Sequence, residues 1–118
     1  MQSPLSERDS TLYLRDMLEF CERVAVYATG HNLQALLTDR MRYDAILRNL
    51  ELIGEAASHV PDEIRLHATS IPWRQIIGTR NRLAHAYLGI EPETVWLIVT
   101  VNVPSLRSQL AVLLTKLS

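Results

Sequence analysis

Apolar residues recur along this chain at the spacing of α-helices. Near the start, Leu14, Leu18 and Cys21 follow one another at intervals of three or four residues, and a second apolar stripe beginning at Tyr13 runs beside them. Two adjacent stripes make a wide apolar face, which predicts a helix that contacts more than one partner. Gly30 is suited to end this helix, because glycine adopts the left-handed conformation at helix ends without strain.

A second long helix follows a short helical turn at 33–37. Thr38 and Asp39 are both suited to cap it, and Pro61 stops it because proline cannot continue a helix. Gly54 lies in the middle of this helix, where glycine costs about 1 kcal/mol relative to alanine. We therefore expect another element to pack closely against Gly54.

The second half of the chain predicts a short helix or turn near 62–66 and two further main helices. Ser70 is expected to cap the third main helix, with Pro72 in its first turn. The last helix begins near 91–94, is apolar nearly all round, and should kink at Pro104. No strand-like alternation, repeat or linker interrupts the chain, so we predict one all-α domain over residues 1–118.

Composition is that of an ordinary globular protein. The chain has 118 residues, of which 47% are hydrophobic and 21% charged. Cys21 is the one cysteine, which excludes an intrachain disulfide and suits a buried core position. The N-terminus lacks the pattern of a signal peptide, and the apolar run 95–103 is too short to cross a bilayer. We expect a cytoplasmic protein that does not bind membranes.

Charge is unevenly distributed although the net charge is only −1. Residues 64–90 contain no Asp or Glu but include Arg65, Arg74, Arg80 and Arg82. The guanidinium of arginine offers a planar set of donors that matches a phosphate, so this region is a candidate for binding nucleic acid. The preference for arginine over lysine is equally consistent with genome composition.

The most distinctive stretch is 78–87, which carries Arg80, Asn81, His85 and Tyr87. A histidine can transfer a proton and an arginine can hold a phosphate, a combination that suits cleavage of RNA by its own 2′-hydroxyl without a metal. Arg80 and His85 are about 140° apart on a regular helix, whereas Asn81 and His85 share a face. A site that uses both requires an irregular helix end or a second copy of the chain.

Spacing alone leaves other interpretations open. A structural histidine at a helix end fits the same pattern, and Trp73 and Trp96 suit core anchors better than stacking platforms. His31, His59 and His67 have no spacing that favours a metal site, so no metal or cofactor is expected. The chain has no glycine-rich phosphate loop and so should not itself transfer nucleotides.

The chain resembles HepT-type ribonuclease toxins of the HEPN superfamily. Arg80, His85 and Tyr87 fit the Arg-x-x-x-x-His-x-Tyr pattern of these proteins. Further segments similar to the family lie at 13–17, 44–56, 71–81 and 93–96. The segments are spread along the chain, and the resemblance extends over nearly all of it.

This resemblance implies a HEPN-type up-and-down bundle of four to five helices that forms a homodimer, with two motif copies in one cleft. It implies a metal-independent RNA endonuclease, with tRNA as the expected substrate, in which His85 is the acid–base and Arg80 binds phosphate. It also implies a partner, a minimal nucleotidyltransferase antitoxin that transfers AMP to Tyr87 and so neutralises the toxin by AMPylation.

Further residues are expected to support this site. Asn49 and Glu55 could orient Arg80 or His85 from the second main helix, although a solvated polar face would look the same, and Asn81 accompanies the arginine. The remaining candidates, expected to contact RNA, are Arg48, Arg74 and Arg82. For Arg48 a surface ion pair is the alternative.

Two other functions remain open at this stage. A catalytically inactive HEPN-like helical dimer could bind RNA or a protein partner, and a plain helical scaffold would use neither motif residue.

Overall fold

The computed structural model describes residues 7–84 and 90–118. Helices form nearly all of this part of the chain, and no strand occurs in it, which confirms the predicted all-α class. The elements are α1 (Glu7–Ala28), α2 (Leu33–Thr38), α3 (Arg40–Ser58), α4 (Asp62–Arg65), α5 (Trp73–Ala84), α6 (Pro92–Leu97), a π-helical segment (Ile98–Asn102) and α7 (Val103–Leu117).

The core lies where α1 packs against both α3 and α7, while α5 packs on α3. Leu14, Met17 and Cys21 of α1 are completely buried, as are Ile46 of α3 and Leu110 of α7. The wide apolar face predicted for α1 therefore has the two partner helices that it requires. Burial raises the pKa of the Cys21 thiol to about 12, because the thiolate would lose its hydration.

The ends of the early helices follow the expected capping chemistry. Gly30 adopts a left-handed conformation with φ of 76° just after α1. Of the two candidate caps for α3, the structure uses Asp39, whose Oδ1 accepts the backbone N–H of Arg42 at 3.2 Å. This hydrogen bond holds the pKa of the Asp39 carboxyl below its ordinary value.

The predicted cap of α5 was wrong. The helix begins at Trp73, so Ser70 lies too far upstream to cap it. The carbonyl oxygen of Ser70 instead accepts a hydrogen bond from Nε2 of Gln109 at 3.2 Å. Ile71 is buried in the core, in the turn that leads into the helix. The helical conformation therefore begins only after this residue. Trp73 is a core anchor as expected, with its indole N–H donating to the Ala68 carbonyl at 3.1 Å.

The last helical stretch contains a π segment just before Pro104. At its end the N–H of Val103 donates to the carbonyl of Ile98, five residues back. Proline has no N–H to donate to the preceding turn, and a local change to π bonding relieves that deficit. The kink predicted at Pro104 stays a prediction, and the π segment, which ends two residues before Pro104, was not predicted.

The helical stretch Pro92–Leu117 is longer than the apolar run 95–103 that the sequence shows. It forms 26 helical residues, and its most apolar window of 18 residues has a mean hydropathy of 1.5, which by length and composition alone is enough to cross a membrane. Only 28% of its most apolar window is buried within the chain. Leu97, Val101 and Val112 are each more than half exposed. The part of the chain that the structure describes thus leaves this apolar helix largely uncovered.

Candidate functional site

Arg80 is positioned by the close approach of α5 to α3. A Cβ atom at Gly54 would collide with the Cβ of Arg80 and would lie 3.0 Å from the carbonyl oxygen of Ile76. Glycine is therefore required where the two backbones meet, as its cost in mid-helix predicted. The contact fixes the base of the Arg80 side chain on the surface of α3.

The guanidinium of Arg80 is held by two neighbours. Its Nη2 lies 2.6 Å from Oε2 of Glu55 on α3, and its Nη1 donates to Oδ1 of Asn81 at 3.0 Å. The side chains of Arg80 and Glu55 are 36% and 45% exposed, so the pair lies at the surface, open to a ligand. Each terminal nitrogen of a guanidinium carries two N–H groups, so donors remain for an incoming phosphate.

The structure therefore brings together three of the predicted site residues: Arg80, Glu55 and Asn81. The predicted acid–base His85 and the predicted modification site Tyr87 lie outside the described residues. Their roles stay predictions from the sequence.

Glu55 has a second contact that the sequence analysis did not assign to the site. Its Oε1 lies 3.4 Å from Nε2 of His59, and the imidazole of His59 stacks on the ring of Tyr13, with centroids 5.1 Å apart and planes 18° from parallel. Glu55 and His59 are four residues apart in the sequence. This spacing places two side chains next to each other on a helix face.

Asn49, which was expected to orient Arg80 or His85, lies inside the structure, in the middle of α3. It is buried, with 6% of its surface exposed, so it does not belong to a solvated polar face. Its amide donates to the carbonyl of Ala45 at 2.8 Å, one turn earlier in α3. Its Oδ1 has no hydrogen-bond partner among the described residues. Among the described residues, the hydrogen bond to Ala45 ties Asn49 to its own helix.

The candidate RNA-binding arginines differ in their surroundings. Arg48 forms an ion pair with Glu51 at 3.0 Å, the alternative that was left open for it. Arg74 and Arg82 are both exposed on α5. Arg82 lies at a groove of about 640 Å³ between α5 and the helical stretch 92–109. The apolar groups at the base of this groove include Leu50, Ile53 and Leu106.

Across the ranges 7–84 and 90–118, no group of three or more His, Cys, Asp or Glu residues is arranged to hold a metal ion. The site available for chemistry is thus an arginine held by a carboxylate and an amide, within the arginine-rich segment 64–90, which has no Asp or Glu.

Comparison with known proteins places this geometry in a family. The model of the family described as "Ribonuclease HepT-like" matches residues 17–113, which include Glu55, Arg80 and Asn81. The chain belongs to the ribonuclease HepT-like family. This confirms the resemblance inferred from the Arg80, His85 and Tyr87 pattern.

Individual relatives agree with the HepT-like assignment. A protein of Methanocaldococcus jannaschii named "Putative RNase" is 31% identical over 108 residues, covering 92% of this chain and 99% of that protein. Another "Putative RNase", from Caldanaerobacter subterraneus, is 32% identical and covers 88% of this chain and 93% of its own. A "Probable ribonuclease HepT" of Thermococcus cleftensis is 32% identical, with 82% of this chain and 88% of that protein covered. No solved structure matches the chain.

Proposed function

We propose that this HepT-like chain is the toxin of a toxin–antitoxin pair and a metal-independent RNA endonuclease. The observation that carries the proposal is the surface position of Arg80, fixed by Gly54 and held by Glu55 and Asn81, in a segment that the ribonuclease family model covers. An arginine presented in this way can bind a phosphodiester and stabilise the charge that develops during its cleavage.

In the proposed reaction His85 takes the proton from a ribose 2′-hydroxyl. The 2′-oxygen then forms a bond to phosphorus, and the bond from phosphorus to the 5′-oxygen breaks. The leaving 5′-oxygen receives a proton from a general acid, which we assign to the imidazolium of a second His85. The products are a 2′,3′-cyclic phosphate and a 5′-hydroxyl, so no water, metal or oxidant is consumed. Arg80 remains protonated and stabilises the pentavalent phosphorane.

Cleavage of purified tRNA in the presence of EDTA tests this proposal. Arg80→Ala and His85→Ala should each lower the rate by about a hundredfold or more, as expected for loss of a charge-stabilising or acid–base group. Arg23→Ala is the matched control, because Arg23 is an exposed arginine of α1 that pairs with Glu19 and lies outside the motif stretch. Complete inhibition by EDTA, or full activity of both motif variants, would refute the mechanism.

A homodimer is part of the proposal. On a regular helix Arg80 and His85 point in different directions, so a second chain supplies the missing group most simply. Support also comes from the stretch Pro92–Leu117, whose most apolar window is only 28% buried by its own chain. A second copy packed against this stretch would cover the exposed apolar side chains and bring two motif stretches near each other.

The proposed partner is a minimal nucleotidyltransferase antitoxin that attaches AMP to Tyr87 in the cytoplasm. Phosphates added beside Arg80 would compete with RNA for the same guanidinium and repel its backbone. Intact mass of the protein, produced with and without its genomic neighbour, tests this regulation. A mass increase of whole AMP units on a peptide containing Tyr87, together with lost RNA cleavage, is expected. Unchanged mass with retained neutralisation would contradict AMPylation.

A catalytically inactive binding module is the second candidate. It is favoured by the 2.6 Å ion pair between Arg80 and Glu55, which partly neutralises the guanidinium in the free protein. This candidate predicts that RNA binding persists while no RNA tested is cleaved by protein that carries no AMP. The cleavage assay with Arg80→Ala and His85→Ala separates the two functions directly.

A further inference from the structure

His59, the C-cap residue directly after α3, presents an aromatic surface to solvent near Arg80. Its ring stacks on Tyr13 of α1 with centroids 5.1 Å apart and an interplanar angle of 18°. Tyr13 is partly buried against the core, whereas 51% of the His59 side chain is exposed. One face of the imidazole is therefore covered by Tyr13, and the opposite face is available to a ligand.

The imidazole is not needed to end the helix. The cap of α3 is made by the backbone: the N–H of His59, in an ordinary helical conformation, donates to the carbonyl of Ala56 at 3.1 Å, and the N–H of Val60 donates to that of Ala57 at 3.1 Å. Most residues can adopt that conformation. The side-chain contacts of His59, with Tyr13 and Glu55, therefore are not explained by the folding of α3 alone.

A single carboxylate separates this ring from the candidate phosphate site. Oε1 of Glu55 lies 3.4 Å from Nε2 of His59, and Oε2 of the same group lies 2.6 Å from Nη2 of Arg80. The aromatic face and the guanidinium are thus neighbours on one surface built from α1, α3 and α5. A nucleotide joins a planar base to a phosphate over a comparably short distance.

We propose that the stacked Tyr13–His59 pair is a nucleobase subsite. A base of single-stranded RNA stacks on the open face of His59 while an adjacent phosphate binds Arg80. Proteins that bind single-stranded RNA use aromatic and arginine side chains in this combination, because every base has a flat face and every linkage a negative charge. This inference rests on the proposed function, since it takes the ligand of Arg80 to be RNA.

Binding of a short, fluorescently labelled 2′-O-methyl RNA tests the subsite without cleavage, because the attacking hydroxyl is blocked. Loss of one base stack weakens binding by about fivefold to a hundredfold. His59→Ala should show a loss in this range by fluorescence anisotropy. His59→Phe should stay within about threefold of the parent, since phenylalanine keeps an aromatic face but lacks the contact to Glu55. His67→Ala is the matched control, because it removes another exposed histidine.

A single abasic position, moved along the oligonucleotide, locates the stacked base. At one position the abasic change and His59→Ala should not be additive, because both remove the same stack. Full additivity at every position would overturn the proposal. So would a His59→Phe variant that binds as weakly as His59→Ala, since the contact with Glu55 would then account for the effect.

Free AMP shares the chemistry of a base with a phosphate, so its binding is measured in parallel. If His59→Ala weakens AMP binding but leaves RNA binding unchanged, the RNA subsite is refuted and a mononucleotide site takes its place.

Cleavage of unmodified RNA is scored separately. Parent protein that binds the 2′-O-methyl RNA through His59 but cuts no RNA would refute the nuclease proposal and leave the subsite intact. Absence of any RNA binding would overturn the subsite.

Discussion

Two glycines in neighbouring helices show how differently one missing side chain can be used. At Gly54 a Cβ atom would meet the Cβ of Arg80 and the carbonyl of Ile76, whereas at Gly78 nothing lies within 4 Å of such an atom. The first glycine allows the helix contact that positions the candidate site. The second, inside α5, makes no such contact with the described residues.

Alanine at these two positions should therefore act in opposite directions. Gly54→Ala forces α3 and α5 apart, so we expect a loss of about 1–3 kcal/mol in the free energy of unfolding. RNA cleavage should fall by at least about tenfold because Arg80 moves, as small displacements at a site cost activity.

Gly78→Ala should stabilise the protein by up to about 1 kcal/mol, the gain in helix propensity. Urea denaturation and RNA cleavage assays measure both effects. Equal stability of the two variants would contradict the close contact.

Cys21 gives a prediction in alkaline solution. The buried thiol keeps its proton to about pH 12, whereas in the unfolded chain it ionises near its ordinary value of 9.0. The folded state thus binds more protons in this window, so stability is complete below pH 9 and declines as the pH rises. One such group lowers the free energy of unfolding by roughly 1.4 kcal/mol per pH unit at most.

Cys21→Ala removes this contribution and isolates it from other groups such as Tyr43, whose pKa burial also raises. The difference in unfolding free energy between the parent and Cys21→Ala should shrink as the pH rises from 9 toward 12. Alkylation of Cys21 by iodoacetamide at pH 8 should be slow in the folded protein and fast in urea. Rapid labelling of the folded protein would argue against a protected thiol.

At the scale of elements, Asp39 joins two helices. It ends α2, accepts the N–H of Arg42 at the start of α3, and pairs with the Arg42 side chain at 3.1 Å. Arg42 also donates to the Tyr27 carbonyl at the end of α1 at 3.1 Å. The beginning of α3, and with it the register that presents Glu55, is therefore fixed by one acidic residue.

Asp39→Ala should lower the melting temperature at pH 7 more than Asp39→Asn does, because asparagine can still accept the capping hydrogen bond. The lowered pKa of Asp39 means that its carboxylate stabilises the fold above its ordinary value of 3.8, and that this contribution disappears as the pH falls below it. The difference in melting temperature between the parent and Asp39→Asn, measured by circular dichroism, should therefore stay constant from pH 7 to about pH 4 and shrink as the pH falls below 3.8. A difference that stays constant down to pH 2 would exclude the charge as the cause.

The sequence predicted the helices better than it predicted the contacts between them. Apolar spacing, glycine and proline located the main helices, and Gly54 indicated a close contact, because these signals act within a few residues. The partner across Gly54 could not be identified, since Arg80 comes from another helix. The ring of His59 was missed for the same reason: its stacking partner, Tyr13, is distant in sequence. The π segment before Pro104 depends on how backbone hydrogen bonds adjust around proline, which apolar spacing does not reveal.

At the scale of the whole molecule, the uncovered stretch Pro92–Leu117 predicts the oligomeric state. Val101→Glu places a charge among exposed apolar side chains and should convert the proposed dimer to a monomer with reduced RNA cleavage. Leu66→Glu is the control, because Leu66 is 74% exposed but lies beyond α4, outside this stretch. Sedimentation velocity measures the change. A parent protein that remains monomeric at high concentration, or that partitions into lipid vesicles, would contradict covering by a second copy.

The exposed apolar helix also has a consequence for how toxicity depends on the concentration of the protein in the cell. If two chains must associate to complete one site, the number of working sites varies with the square of chain concentration below the dissociation constant. Halving the supply of chains in that range would leave about a quarter of the active species. A cell that makes few copies would then be protected by dilution alone, before any partner acts. Toxicity would rise steeply past a threshold of expression rather than in proportion to it.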